Sequence, residues 1–315
     1  SNVVFTVNIT EALNMVIKGL LKAGDHVIVS SLEHNAVMRP LTQLLEKGVT
    51  FDRAPCDETG KTYGVEELIK ENTKAVIMCH ASNVCGSLAP MEEIGRICRK
   101  HNLLFIADCA QSAGSIPIDM EKMDIDILCF TGHKALLGPQ GTGGFIIRDE
   151  AVPMLEPLIS GGTGSVSNLE TLPEFMPDRF EAGTLNIAGI YGLKAGLEFI
   201  DSVGVESIHS REMRLTKLFL DGLKDIKGCR VIGKNTAGDR TAVVSVVTDR
   251  DLAETAFLLD REYGIMTRVG MHCAPNAHKV LGTYPSGTLR FSFGYFNTGI
   301  EIEYALDALK NILEK

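Results

Sequence analysis

No apolar run in this chain of 315 residues approaches the roughly 18 residues that a helix needs to cross a bilayer. Positive charge is also in short supply: 31 Lys and Arg against 40 Asp and Glu leave a formal net charge of −9. That balance argues against a nucleic-acid or anionic-membrane partner, because either would favour a basic face. The opening SNVVFTVNIT lacks the basic start and small-residue cleavage site of a signal peptide. No C-x-x-C pair occurs among the eight cysteines, so neither a zinc ribbon nor a thioredoxin-like motif is supported. No internal repeat is visible. What remains is ordinary for a globular enzyme, with 45% hydrophobic and 23% charged residues, and it is long enough for two packed layers or two domains.

Several cysteines sit in apolar runs such as Ala75-Val-Ile-Met-Cys79 and Asp126-Ile-Leu-Cys129-Phe130. They read as small buried hydrophobes in a reducing compartment, and the cytoplasm is the expected location. Cys79, His80 and Cys85 form one group of possible ligands, and His272, Cys273 and His278 another. Each offers only three side chains without regular spacing, so no metal is expected.

Helical and strand periods alternate from the start. Thr10 is placed as an N-cap, after which Leu13, Val16, Ile17, Leu20 and Leu21 recur at helical spacing. Apolar runs at 26–30, 74–79, 103–107, 125–130 and 144–147 read as strands, and 90–100 as an amphipathic helix between two of them. Continuous apolar strands separated by helices imply an α/β fold with a mostly parallel sheet covered on both faces. Near residue 195 the pattern changes. A long helical segment over 205–223, strands over 242–247 and 288–293, and a closing helix suggest a smaller α+β domain. The expected division is a large domain over 1–195 and a small C-terminal domain over 196–315. A Gly/Ser-rich loop over 160–168 is too long to be a simple connector.

Parallel sheets bind ligands beyond the carboxyl ends of their strands. Three such ends carry unusual polar residues: His80-Ala-Ser-Asn83, Asp108-Cys-Ala-Gln111 and Thr131-Gly-His-Lys134. A carboxylate at the end of an apolar strand needs a partner, as does Lys134 ahead of Ala-Leu-Leu. One reading is an Asp108–Lys134 salt bridge. The other is a pyridoxal phosphate (PLP) site, in which a lysine binds the aldehyde and an acid keeps the ring nitrogen protonated. The phosphate would need hydroxyls and N–H groups at a helix start. Thr10 fits, with Thr131 and His133 adding hydrogen bonds, although a threonine by itself is also read as a simple cap.

The motifs NITEALN (8–14), EHNAV (33–37), HASNVCG (80–86), DCAQ (108–111), TGHK (131–134), EAGT (181–184), RVGMHCAP (268–275) and LRFSF (289–293) together resemble the class V aminotransferases, and within them the cysteine desulfurases and selenocysteine lyases. They run in family order over nearly the whole chain. The resemblance implies a fold-type I PLP-dependent transferase with a mostly parallel sheet of the seven-stranded type. It implies that Lys134 carries PLP as a Schiff base, that Asp108 faces the pyridine nitrogen and that His34 stacks on the ring. Asn83 and Gln111 would bond the ring oxygen, and Thr10, Thr131 and His133 would hold the phosphate. Thr184 would reach the phosphate of the partner subunit, so a homodimer is expected. Arg290 would clamp the substrate carboxylate, and Arg268 would line the approach to Cys273.

RVGMHCAP then acquires a purpose. The resemblance implies that L-cysteine loses its α-proton to Lys134 and that the Cys273 thiolate attacks the substrate sulfur. A persulfide remains on Cys273 for a sulfur-acceptor protein, and alanine leaves. His272 would favour the thiolate electrostatically or serve as an acid. L-Selenocysteine is the alternative substrate. The acceptor could be an iron–sulfur scaffold, a tRNA-thiolation protein or part of a selenium pathway. Two departures stand out. Family members carry some tens of residues ahead of the NITEALN-like element, where this chain begins almost at it, and Met271 stands where a second histidine is common. Two other readings remain open: another class V lyase or aminotransferase, and a PLP-binding or sulfur-carrying protein without turnover.

Overall fold

In the computed structural model, which describes residues 2–314, the N-terminus of the first helix already departs from expectation. β1 (Val3–Thr6) runs into α1 (Ile9–Leu20), whose N-cap is Asn8 and not Thr10. The Asn8 side chain accepts from the Glu11 N–H at 3.0 Å, and Glu11 Oε2 accepts from the Val7 N–H at 2.7 Å. A short amide side chain just before the helix satisfies an orphan donor better than a threonine already inside the first turn. Thr10 is therefore the second helical residue, with its side chain free of capping duty.

The chain continues through β2 (His26–Ser30), α2 (Asn35–Leu45), β3 (Thr50–Ala54), β4 (Thr73–Cys79), α3 (Met91–Lys100), β5 (Leu104–Asp108), β6 (Ile127–Thr131) and β7 (Gly143–Ile147). With β1 these strands form a seven-stranded sheet in the order β1-β7-β6-β5-β4-β2-β3. β3, β2, β4, β5 and β6 run parallel, while β7 is antiparallel to both β6 and β1. Continuous apolar runs marked the inner strands because both of their faces are covered, so β2 and β6 are buried at every position. Helix α1 covers one face with Leu13, Val16 and Ile17, and α3 covers the other with Met91 and Ile94. β3 escaped the sequence reading because Thr50-Phe-Asp-Arg-Ala54 is a half-exposed edge strand.

Helices α4 (Ile187–Val203) and α5 (Val205–Leu223) meet at Gly204, whose φ of +85° few other residues accept. Residue 195 lies inside α4. The chain then forms β8 (Cys229–Ile232), β9 (Val243–Thr248), α6 (Leu252–Tyr263), β10 (Arg268–Gly270), α7 (Pro275–Val280), β11 (Thr288–Ser292) and α8 (Gly299–Leu313). The four strands make an antiparallel sheet in the order β10-β11-β9-β8. Its own core is built on Phe219, Val244, Val246, Leu259, Leu289 and Leu309.

The two sheets are seamed together just beyond β4. Arg240, fully buried, donates to the Val243 carbonyl at 2.6 Å, to the Cys85 and Thr241 carbonyls at 3.3 Å each, and to that of Lys234. The Thr241 N–H donates to the Gly86 carbonyl at 2.8 Å. One guanidinium thus satisfies carbonyls from both sides of the seam. Arg240→Met is expected to lower stability by about 2–4 kcal/mol, because it strands buried carbonyls as well as losing charge-assisted bonds. Urea unfolding of the variant beside the parent chain measures this.

Candidate active site

The carboxyl ends of β2, β4, β5 and β6, together with the start of α1, surround a cavity of about 290 Å³. Thr10, His34, Asn83, Asp108, Gln111, Thr131, His133 and Lys134 all line it, so most of the residues singled out from sequence meet in one place. β2 and β4 are neighbours whose onward connections lead to opposite sides of the sheet, and such a switch point opens a crevice.

Each side chain is placed by an element end. Asp108 is the last residue of β5 and is 3% exposed, and its Oδ1 accepts from the Ala110 N–H at 2.9 Å. Burial raises its proton affinity, while that backbone bond and the charges of Lys134 and His34 oppose the rise. Lys134 lies in the turn after β6. Burial lowers its proton affinity, the charge of Asp108 opposes that, and the charge of Arg290 adds to it. Lysine and aspartate thus bias one another through charge across the cavity, without the hydrogen-bonded ion pair of the simpler reading. Lys134 has accessible surface because it faces the cavity space, yet protein atoms crowd it closely enough to lower its proton affinity.

His34 is the N-cap of α2 and accepts from the Ala36 N–H through Nδ1 at 3.0 Å. That bond puts the proton of the neutral ring on Nε2, and burial holds the ring neutral. Thr131 Oγ1 and His133 Nδ1 lie 3.1 Å apart. Thr10 sits in the first turn of α1, where unpaired N–H groups point at the cavity end. Asn83 differs from expectation. Its Nδ2 donates to the His272 carbonyl at 2.6 Å, leaving buried Oδ1 without a partner.

Arg290 and Gln111 also reach a second cavity of about 390 Å³ on the other side of Lys134. Arg290 donates to the Asn83 carbonyl at 2.9 Å, and its buried Nε has no partner. Arg268 is exposed and pairs with Arg290 across β10 and β11; burial, and then the Arg268 charge, lowers the proton affinity of Arg290. Thr184 is exposed and lines a separate cavity with Glu11 and Asn186, outside the group around Lys134.

Cys273 is exposed, on a turn where it and His272 both adopt positive φ, +57° and +46°. The turn is pinned from several sides. The Asn35 N–H in the first turn of α2 donates to the Cys273 carbonyl at 2.8 Å, and the Ala274 N–H to that of Met271 at 2.9 Å. His272 Nε2 lies 2.9 Å from Thr288 Oγ1. Burial and the charge of Arg290 push His272 down to about 3. It is neutral at physiological pH, which removes the cationic route by which it was expected to favour the thiolate.

Five lining residues were not anticipated as part of the site, and two of them, Asn8 and Cys79, carry polar or ionisable side chains. Asn8 was read as part of a motif but not as the cap, and Cys79 was read as core although it ends its strand against His80. The strand-end position was the available signal. The donor set fits a planar, anionic aldehyde cofactor: a helix N-terminus with hydroxyls for a phosphate, an acid opposite a deprotonatable lysine, and an orphaned amide oxygen at the wall.

An α/β sheet with a lysine and an acid on adjacent strand ends, and a smaller antiparallel domain carrying a cysteine turn, is the architecture of a fold-type I PLP-dependent transferase. The chain belongs to the class-V aminotransferase family, whose model matches residues 1–305. It is 35% identical over 319 residues to a probable cysteine desulfurase of Methanothermobacter thermautotrophicus, covering 98% of this chain and 79% of that protein. A probable cysteine desulfurase of Pyrococcus abyssi is 34% identical, with 99% and 79% covered. The apo structure of a cysteine desulfurase from Thermococcus onnurineus NA1 superposes with a TM-score of 0.91 at 32% identity, covering 99% of this chain and 79% of that one.

Asn83→Ala removes the donor that holds the His272 carbonyl. Loss of one such bond, about 1.4 kcal/mol, predicts roughly tenfold faster amide hydrogen exchange at the turn. Exchange measured at Ala274 checks it.

Proposed function

We propose that the chain is a PLP-dependent cysteine desulfurase that converts L-cysteine to L-alanine and leaves a persulfide on Cys273. The observation that carries this reading is the placement of an exposed thiol on a pinned turn. Cys273 is held by its carbonyl to the Asn35 N–H at the start of α2, the helix that His34 caps. The other cysteines are buried or half-buried, and Cys273 alone is exposed.

PLP, when bound, supplies an electron sink for the carbon attached to its aldehyde. Lys134 would carry the cofactor, Asp108 would serve its ring nitrogen, and His34 would pack against the ring. Thr10, Thr131 and His133 would hold the phosphate at the start of α1, and Asn83 and Gln111 would bond the ring oxygen. Arg290 binds the substrate carboxylate, which gives its unpartnered Nε an acceptor. Arg268 lies beside it on the approach to Cys273. Lys134, whose proton affinity burial lowers, takes the α-proton. The Cys273 thiolate attacks the substrate sulfur: the S–S bond forms as the Cβ–S bond breaks, and the carbon skeleton keeps that electron pair, gains a proton and leaves as alanine. The exposed persulfide is then open to a sulfur-acceptor protein, with iron–sulfur cluster assembly as one outlet.

L-Selenocysteine is the alternative substrate, since it differs only in the chalcogen. A homodimer completes the proposal. It is supported by Thr184 standing exposed away from the Lys134 cavity, beside Ile187 and Tyr191, which are 54% and 68% exposed. No helix among the described residues is long and apolar enough to cross a membrane, and the cytoplasm is the proposed compartment for eight free thiols. The large and small domains correspond to 1–195 and 196–315.

Alanine release from L-cysteine by the PLP-loaded protein tests the assignment. Lys134→Ala is expected to lose at least about a thousandfold in kcat, and Cys273→Ala to abolish release while still binding PLP. Release that survives in Cys273→Ala would sink the desulfurase reading in favour of another lyase.

A further inference from the structure

Glu33 is a buried carboxyl for which the proposed reaction has no use. It is 1% exposed and precedes His34, at the place where β2 and β4 part. The ladder between those strands ends at Val29 and Ile77, so the Cys79 N–H has no partner on β2. Glu33 Oε1 takes that N–H at 2.7 Å and also accepts from the Ser30 hydroxyl at 2.6 Å and the Ser30 N–H at 3.3 Å. Three donors converge on one oxygen, while Oε2, equally buried, has no partner.

The titratable groups facing it are Asp108 at the end of β5 and the thiol of Cys79 at the end of β4, with His34 next in sequence. Two ionised carboxylates in one dry crevice repel, so one of them stays protonated. Asp108 has Lys134 and His34 to favour its charge, whereas the largest influences on Glu33 include no cation. Burial, reinforced by the Asp108 charge and opposed by the bonds from Ser30 and Cys79, pushes Glu33 up to about 8.

We propose that Glu33 is a positioning residue that works as a neutral carboxylic acid: Oε1 closes the parting of β2 and β4, the proton sits on Oε2, and Asp108 is left as the only negative carboxyl beside the cofactor. The first two clauses concern the chain alone, and the third rests on the PLP reading above. Ionising Glu33 would add a second negative charge near Asp108 and Lys134. That charge would raise the proton affinity of both and withdraw the neutral amine that takes the substrate proton.

The state of the acid is tested on the cofactor-free chain. With ¹³C-labelled glutamate, one carboxyl carbon is expected to titrate near 8, in addition to that of Glu212, which burial raises to about 7. Glu212→Gln removes the second signal and leaves the first. Burial also raises Glu181, so the titration is repeated with Glu181→Gln added; if no glutamate then titrates above the ordinary range, the proposal is overturned, whether or not a Glu33 variant folds.

Glu33→Gln adds a second readout. The folded chain holds this proton more tightly than the unfolded chain, so the stability associated with it is present below the ordinary glutamate range. It is lost as pH rises through about 8. The melting temperature of the parent should therefore fall relative to that of Glu33→Gln across that window, and parallel curves would contradict it. In the loaded enzyme, the kcat of the parent relative to the variant should drop by about tenfold per pH unit above 8. A pH-independent ratio would refute the positioning role. Absence of turnover in both would count against the desulfurase reading and leave the state of the acid to the two measurements on the cofactor-free chain.

Discussion

Polar groups at the carboxyl ends of β2, β4, β5 and β6 have left water without receiving a full set of partners, and the rest of the site follows from that removal. Burial is the largest influence on Asp108, Lys134, His34 and Arg290, and in every case it favours the neutral form. Left alone, such a cluster would cost the fold several kcal/mol. What keeps it in place is the hydrophobic sheet around it, buried on both faces and assembled from aliphatic strands. The sheet also determines where the polar residues fall, because a parallel ladder ends all its strands on one side. A ligand that is anionic at one end, aromatic in the middle and reactive toward amines would relieve several of these unsatisfied groups together.

The second constraint lies in the cysteine turn. Two consecutive non-glycine residues at positive φ cost about 1 kcal/mol or more each, and the turn holds because its surroundings overdetermine it. Asn35 at the start of α2, Asn83 after β4 and Thr288 on β11 each take one of its groups. These partners come from both sheets. The thiol is therefore presented only when the two halves are docked, and the Arg240 seam contributes to that docking. Neutral His272 fits this picture as a pin for the turn, since its ring is tied to Thr288 and its carbonyl to Asn83. Glu33 has a corresponding task on the opposite wall, where it closes the gap that the diverging strands leave open.

Much of this was legible before any coordinates, and the reasons differ from element to element. β2 and β6 were readable because an inner strand covered on both faces must be apolar throughout. α5 was readable as a long segment of helical period ending in Leu223. β3, β8 and β10 were not, because edge strands carry charged or polar residues that leave no periodic trace. The cap of α1 moved from Thr10 to Asn8 because two nearby residues could each cap, and only backbone geometry chooses between them. Asp108 and Lys134 stood out because charged residues directly after apolar strands are costly and therefore informative.

The sequence by itself determined the sheet-and-helix alternation, the polar residues at three strand ends, and the family to which the motifs point. Each of these rests on local chemistry: periodicity, strand burial, and the cost of charge beside an apolar run. Only the tertiary structure decided that Asn83 spends its amide N–H on the cysteine turn and that Thr184 lies apart from the cavity. It alone also decided that His272 is neutral, and that the acid in EHNAV is buried within reach of the Asp108 charge. Those facts depend on which groups from distant segments share a dry volume, and desolvation and charge coupling are properties of that volume, which no stretch of sequence contains.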